Sequence, residues 1–160
     1  MRLTFEPLDH RHVAGLVAAL RDDRVDVYLP GPDVTTEDAL HDRIDRLARG
    51  APPGERWLNV VMLCDGVIVG RLEATVYDAG WAEIAYLVGP AYWGRGYATD
   101  GVRWWISQLG VPEIWAAVHP DNTRSIAVLE RCGFTRRDVP TRSLGSYDAG
   151  DVVYVTGDAS

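Results

Sequence analysis

Lysine is absent from this chain of 160 residues; all sixteen basic residues are arginine. That is a feature of composition and excludes no chemistry by itself. Cysteine is nearly absent too, with Cys64 and Cys132 the only two. Two cysteines make no disulfide framework, and their spacing matches no zinc motif. Both lie in apolar stretches, which predicts buried free thiols. No apolar run approaches the length of a membrane span. The start, Met1-Arg2-Leu3-Thr4-Phe5, is strand-like and lacks the apolar core of a secretion signal. These absences predict a cytoplasmic protein with no metal and no membrane partner. Positive charge is also in deficit, with a formal net charge of −7. Nucleic-acid binding needs a basic face, so none is expected. A negative field suits a cationic amine instead.

Apolar residues make up 47% of the chain, enough for the core of one domain over residues 1–160. Leu3 to Pro7 reads as a strand. Val13, Leu16, Val17 and Leu20 fall at helical spacing, so His10 to Leu20 reads as a helix with Asp9 as its N-cap. Asp22 to Pro32 is a turn-rich connection. Thr35 with Asp38 signals a capping box opening a second helix, which Gly50 to Gly54 ends. Trp57 to Cys64, Val67 to Tyr77 and Trp81 to Val88 form an antiparallel meander, with Asp65-Gly66 a hairpin turn. Asp100 to Leu109 reads as a helix, Glu113 to Val118 as a strand, and Thr123 to Arg131 as a helix stopped by Cys132-Gly133-Phe134. The tail adds one or two strands, Asp151 to Val155 the clearest.

The segment Tyr92-Trp93-Gly94-Arg95-Gly96-Tyr97-Ala98-Thr99 carries the most chemistry. A glycine turn feeding a helix start offers unpaired N–H groups and positive potential to a phosphate. An ordinary strand-to-helix turn would look the same in isolation. The surrounding order of strand, loop, helix, strand and helix, with Asn122-x-x-Ser125 and Gly133-Phe134, resembles the GNAT family of acyl-CoA-dependent N-acetyltransferases. More narrowly, it is similar to the branch of ribosomal-protein N-terminal acetyltransferases and many small-molecule acetyltransferases. The detailed resemblance spans Trp81 to Phe134.

The resemblance implies a GNAT fold of the α+β kind: a central mixed, mostly antiparallel sheet of about seven strands with about four helices. It implies acetyl-CoA as co-substrate, its pyrophosphate seated on Trp93, Gly94, Arg95, Gly96, Tyr97, Ala98 and Thr99. The family usually has Gln or Arg where Trp93 stands, so one side-chain donor is missing. The pantetheine arm would pair with Leu87 and Val88, and the Val88 N–H would polarise the thioester carbonyl. Asn122 would hold the arm or cap its helix. Ser125 would protonate the leaving thiolate, because Leu129 occupies the place of the family's tyrosine. Arg131 would reach the 3′-phosphate or serve as a helix C-terminal cation.

An alkyl ammonium has a pKa of about 10, so attack at neutral pH benefits from a base. Glu83 is the first candidate and Glu73 the second; an ion-paired strand acid is the plainer reading of each. The acceptor pocket draws on Arg24, Tyr28, Glu73 and Tyr86, with Trp57 and Tyr147 beside them. The acceptor is a small-molecule amine or a peptide N-terminus. The oligomeric state is left open between monomer and homodimer. Two rivals stand beside this reading: an acyl-CoA-binding module without transfer activity, and a nucleotide-binding α/β protein. The meander opposes the second.

Overall fold

The computed structural model describes residues 3–26 and 36–156. Among these residues seven strands form one sheet in the order β1-β2-β3-β4-β5-β7-β6. These are β1 (Leu3–Pro7), β2 (Glu55–Cys64), β3 (Val67–Tyr77), β4 (Trp81–Val88), β5 (Glu113–Val118), β6 (Thr135–Arg137) and β7 (Val152–Val155). All neighbours pair antiparallel except β4 and β5. The β2–β3 hairpin turns on Asp65 and Gly66 at φ 50° and 81°, the positive pair that a two-residue turn requires.

Five α-helices occur among the described residues: α1 (Val13–Leu20), α2 (Asp23–Asp26), α3 (Glu37–Ala48), α4 (Tyr97–Leu109) and α5 (Thr123–Arg131). The count exceeds the expected four because a short helix, α2, forms inside the turn-rich connection. His10–His12 is a 3-10 turn before α1, with Asp9 accepting from the His10 N–H as expected. The cap of α3 is Thr36, whose hydroxyl accepts from the Ala39 N–H, one residue later than Thr35. Helix α4 begins at Tyr97 rather than Asp100. That shift makes Tyr97, Ala98 and Thr99 its first turn.

Alternation divides the sheet between two layers. Leu72, Ala74, Ala82, Ile84 and Val88 face α4 and α5, packing with Val102, Trp105 and Leu129. Val61, Leu63 and Leu87 face α1 and α3. On that same second face, Trp81, Trp115, Val153 and Val155 pack beneath Leu144 and Tyr147. Trp105, Val102 and Leu109 of α4 are buried, each contributing about 1.5–3 kcal/mol. Cys64 and Cys132 are half-buried free thiols, not buried ones. No helix among the described residues is long and apolar enough to cross a membrane.

Candidate functional site

The parallel contact between β4 and β5 is short. Only Trp81, Ala82 and Glu83 pair with β5, opposite Glu113, Ile114 and Trp115. Beyond Glu83 the two strands part. The Gly89 N–H donates to the Val69 carbonyl on β3 at 2.8 Å. Alternation therefore turns the N–H groups of Tyr86 and Val88 to the other edge, into the opening. Gly70 lets β3 lie close to this end of β4: a Cβ there would stand 2.2 Å from the Leu87 carbonyl oxygen.

The glycine turn lies at the mouth of this opening. Gly94 and Gly96 adopt φ of 76° and 81°, and nothing stands within 4 Å of a Cβ built on either. Gly96 is the N-cap of α4 and gives no side-chain cap. The first bond of the helix runs from the Asp100 N–H to the Gly96 carbonyl at 3.0 Å. Among the described residues, no protein acceptor takes the N–H groups from Gly94 to Thr99. Converging donors, a helix N-terminus and open space together suit a diphosphate. Trp93 is fixed beside them, its indole N–H donating to the Val88 carbonyl at 2.8 Å. The turn is thereby tied to the end of β4.

Helix α5 flanks the turn. Asn122 caps it, its side-chain oxygen accepting from the Ser125 N–H at 3.2 Å. The Ser125 and Tyr86 hydroxyls lie 2.7 Å apart, and the Tyr86 hydroxyl also reaches the Ser125 carbonyl at 3.0 Å. Burial pushes the Tyr86 phenol well above its ordinary range, with the Ser125 hydrogen bond pulling the other way. Tyr86 thus joins Ser125 on the α4–α5 face, away from the groove described below. At the far end of α5, Arg131 is exposed, and its carbonyl accepts from Arg103 at 3.5 Å. Cys132 stands 3.6 Å from the Thr99 carbonyl, and burial raises its thiol.

On the opposite face, α3 and the loop before β7 leave a groove over β2, β3 and β4. Its larger part, about 370 Å³, is lined by Glu55, Trp57, Glu73, Tyr77, Glu83 and Ala85, with Gly145 and Ser146 at the loop side. Its smaller part, about 240 Å³, shares Trp57 and Glu73 and adds Arg43, Arg46, Leu47 and Asn59. Ala85, in the middle of the central strand, is exposed because nothing covers it.

The two candidate bases differ in their surroundings. Glu83 is buried, and both its oxygens are taken twice. Oε1 accepts from the Tyr77 hydroxyl and the Gly145 N–H, each at 2.9 Å. Oε2 accepts from the Ser146 N–H at 3.4 Å and its hydroxyl at 3.0 Å. Burial, followed by the neighbouring Glu83, pushes the Tyr77 phenol upward. Glu73 is half-buried, with Oε2 at 2.6 Å from Arg43 and Oε1 at 2.7 Å from Arg71. One oxygen lone pair remains on each side. Arg71 is buried; its Nε and Nη1 have no partner, and burial lowers its pKa against the pull of Glu73.

Among the expected acceptor residues, Glu73 and Trp57 line the groove. Tyr147 packs against the Trp81–Trp115 cluster. Arg24 sits beside the glycine turn, bonded to Asp22 and 5.4 Å from the Trp93 ring. Tyr28 lies outside the described residues. Three features escaped the sequence reading: the Gly145–Ser146 clasp on Glu83, the Arg43–Glu73–Arg71 chain, and Arg124, stacked 3.7 Å from the Trp93 ring centroid. Only Arg124 left a signal, since it falls inside the Asn122-x-x-Ser125 spacing.

Comparison with known proteins defines the class. The model of the acetyltransferase (GNAT) domain family matches residues 2–135. An uncharacterized N-acetyltransferase p20 of Bacillus licheniformis is 36% identical over 84% of this chain and 80% of its own length. The FsC-acetyl coenzyme A-N(2)-transacetylase of Aspergillus fumigatus is 26% identical, and the match spans 63% of that protein. Among solved structures, RimL, a ribosomal L7/L12 α-N-protein acetyltransferase in complex with coenzyme A, superposes with a TM-score of 0.78 at 20% identity, covering 99% of this chain and 96% of that one. The aminoglycoside acetyltransferase AAC(6')-Ib with coenzyme A gives 0.77 at 19% identity, covering 98% and 95%.

The chain belongs to the GNAT acetyltransferase family and has its fold. It is an acyltransferase that depends on acetyl-CoA, the donor of the acetyl group.

Proposed function

We propose that this acetyltransferase acetylates the primary amine of a small molecule bound in the groove over Trp57, Glu73 and Ala85. The observation that carries this reading is the groove's place. It leaves the middle of β4 exposed at Ala85, three residues before the Val88 N–H that faces the opening. Its larger part, about 370 Å³, has the size of a small-molecule site. Among the described residues Glu55 makes no ion pair, so it faces an ammonium group unopposed, with Trp57 as an aromatic floor.

The diphosphate of acetyl-CoA rests on the N–H groups of residues 94–99, and the pantetheine arm lies along the free edge of β4. The thioester carbonyl takes the Val88 N–H. The amine nitrogen bonds to the carbonyl carbon, and the tetrahedral intermediate collapses with loss of the carbon–sulfur bond. The amine proton leaves through water toward Glu73. Glu73 stands opposite Ala85 in the β3–β4 register, about 10 Å from Val88 along the strand, against about 17 Å for Glu83. Glu73 also keeps free lone pairs, whereas Glu83 keeps none. This supports Glu73 as the base and Glu83 as the anchor of the groove's loop wall. Ser125 passes its hydroxyl proton to the departing thiolate and regains one from solvent water as it does so, and Tyr86 orients that hydroxyl. When Tyr86 donates to the Ser125 oxygen rather than to the carbonyl, the Ser125 proton is free to face sulfur.

The test is thiol release from acetyl-CoA against a panel of small amines, aminoglycosides and N-terminal peptides. Turnover with small amines, lost in Glu73→Gln while coenzyme A affinity is retained, is expected. Turnover with peptides alone would overturn the small-molecule reading.

A further inference from the structure

We infer that Arg124 is a phosphate-binding residue of the coenzyme A site, held on the face of Trp93 so that it supplies the side-chain donor missing from the first position of the glycine turn. The inference rests on the seating of coenzyme A at residues 94–99.

Three observations carry it. The first is the stack. The Arg124 guanidinium carbon lies 3.7 Å from the centroid of the Trp93 ring. The ring cannot drift, because its N–H is bonded to the Val88 carbonyl. Stacking occupies the face of a guanidinium and leaves its in-plane N–H groups free to fork two phosphate oxygens.

The second is charge. Arg24 approaches the same ring at 5.4 Å, and Arg95 lies 5.8 Å from the neighbouring Tyr92 ring. Three guanidiniums therefore gather at one turn of a chain whose net charge is −7. Arg24 alone of the three has a carboxylate partner among the described residues, Asp22 at 2.7 Å. Arg124 and Arg95 are exposed and make no ion pair among those residues. Converging cations repel one another unless an anion lies between them.

The third is position. Arg124 occupies the first turn of α5, which holds no acidic residue. The helix dipole disfavours a cation there. Neither helix stability nor a salt bridge explains the residue; the Trp93 face holds the guanidinium without engaging its N–H groups, which a phosphate between α5 and the α4 N-terminus would engage. Coenzyme A offers two such groups, the diphosphate and the 3′-phosphate.

The test is titration calorimetry of wild type, Arg124→Gln and Arg124→Lys with coenzyme A, dephospho-coenzyme A and acetyl-pantetheine. Arg124→Gln is expected to weaken coenzyme A by roughly 10–100-fold and to flatten the salt dependence of binding. Arg124→Lys should recover part of the loss, because the charge remains and the fork does not. An equal loss for dephospho-coenzyme A assigns the diphosphate; no loss assigns the 3′-phosphate. Either result supports the inference. Wild-type affinity in Arg124→Gln overturns it, as does an equal loss for acetyl-pantetheine, which would mark a mere distortion of the site. Failure of the seat itself reads out separately: Gly96→Asp would then bind coenzyme A normally, whatever Arg124 does.

Discussion

Replacing Glu83 by glutamine removes one charge from the wall of the proposed acceptor groove while keeping the side chain's shape. The amide oxygen can still accept from the Tyr77 hydroxyl and the Gly145 N–H. The amide NH2 then faces the two donors of Ser146. The hydroxyl can rotate and accept, but the N–H cannot. Four charge-assisted bonds become at most three neutral ones. Charge assistance contributes about 0.5–1.5 kcal/mol per bond. The long 3.4 Å bond to the Ser146 N–H contributes least. Relief of the buried carboxylate's desolvation offsets part of this, leaving a net loss of about 2 kcal/mol, which lowers Tm by about 4–8 °C in a domain of this size. The groove's wall should loosen with it, raising the KM for the amine several-fold, while kcat at saturating amine falls less than about tenfold. Calorimetric melting and steady-state kinetics on one preparation measure all three. An unchanged Tm with kcat reduced by a hundredfold or more would refute the reasoning: Glu83 would then be the base, and its four hydrogen bonds would not hold the loop.

Other perturbations have defined outcomes. Gly96→Asp places a carboxylate at the proposed diphosphate seat and a side chain at φ 81°, so coenzyme A binding should vanish by calorimetry while the fold persists by circular dichroism. Tyr86→Phe and Ser125→Ala should each cost a few-fold in kcat and together little more than either alone; fully additive losses would separate the two hydroxyls. Burial raises the Tyr86 phenol, so its neutral form stabilises the fold below the unfolded pKa of about 10, and this contribution is lost as pH climbs above it. Alkaline unfolding followed by fluorescence should therefore steepen above that pH, less so in Tyr86→Phe. Gly70→Ala forces a Cβ to within 2.2 Å of the Leu87 carbonyl, so it should destabilise the chain and displace the end of β4; wild-type Tm and activity would deny that close approach.

Strands were the most readable part of the chain. Leu3–Pro7, Val67–Tyr77, Trp81–Val88 and Glu113–Val118 stand where alternation and turn residues put them. The fold class came from the family resemblance that their order and the Asn122-x-x-Ser125 and Gly133-Phe134 motifs carry, and the glycine turn from Gly94 and Gly96. Helix starts were less readable. Tyr97 and Thr99 are aromatic and β-branched, which favours strands, yet packing buries both in the first turn of α4. The acceptor side was the least readable. Glu83 is clasped by residues 62 and 63 positions away, a relation that no local pattern carries. Arg24 looked like a groove residue and reaches Trp93 instead. Tyr86 could have been excluded from the groove beforehand, since strand parity sets it on the face opposite Glu83 and Ala85.

The early parting of β4 from β5 makes this sheet an unfinished object. In the seating proposed above, coenzyme A laid along the β4 edge that β5 leaves open beyond Glu83 would act as the missing lath between its two halves. A ligand that completes the sheet also stabilises the whole chain, by about 2.7 kcal/mol at a concentration one hundred times its dissociation constant. That seating would couple the enzyme's durability to the supply of its own acetyl donor: with coenzyme A scarce, the chain would lose both its reaction and part of its resistance to unfolding.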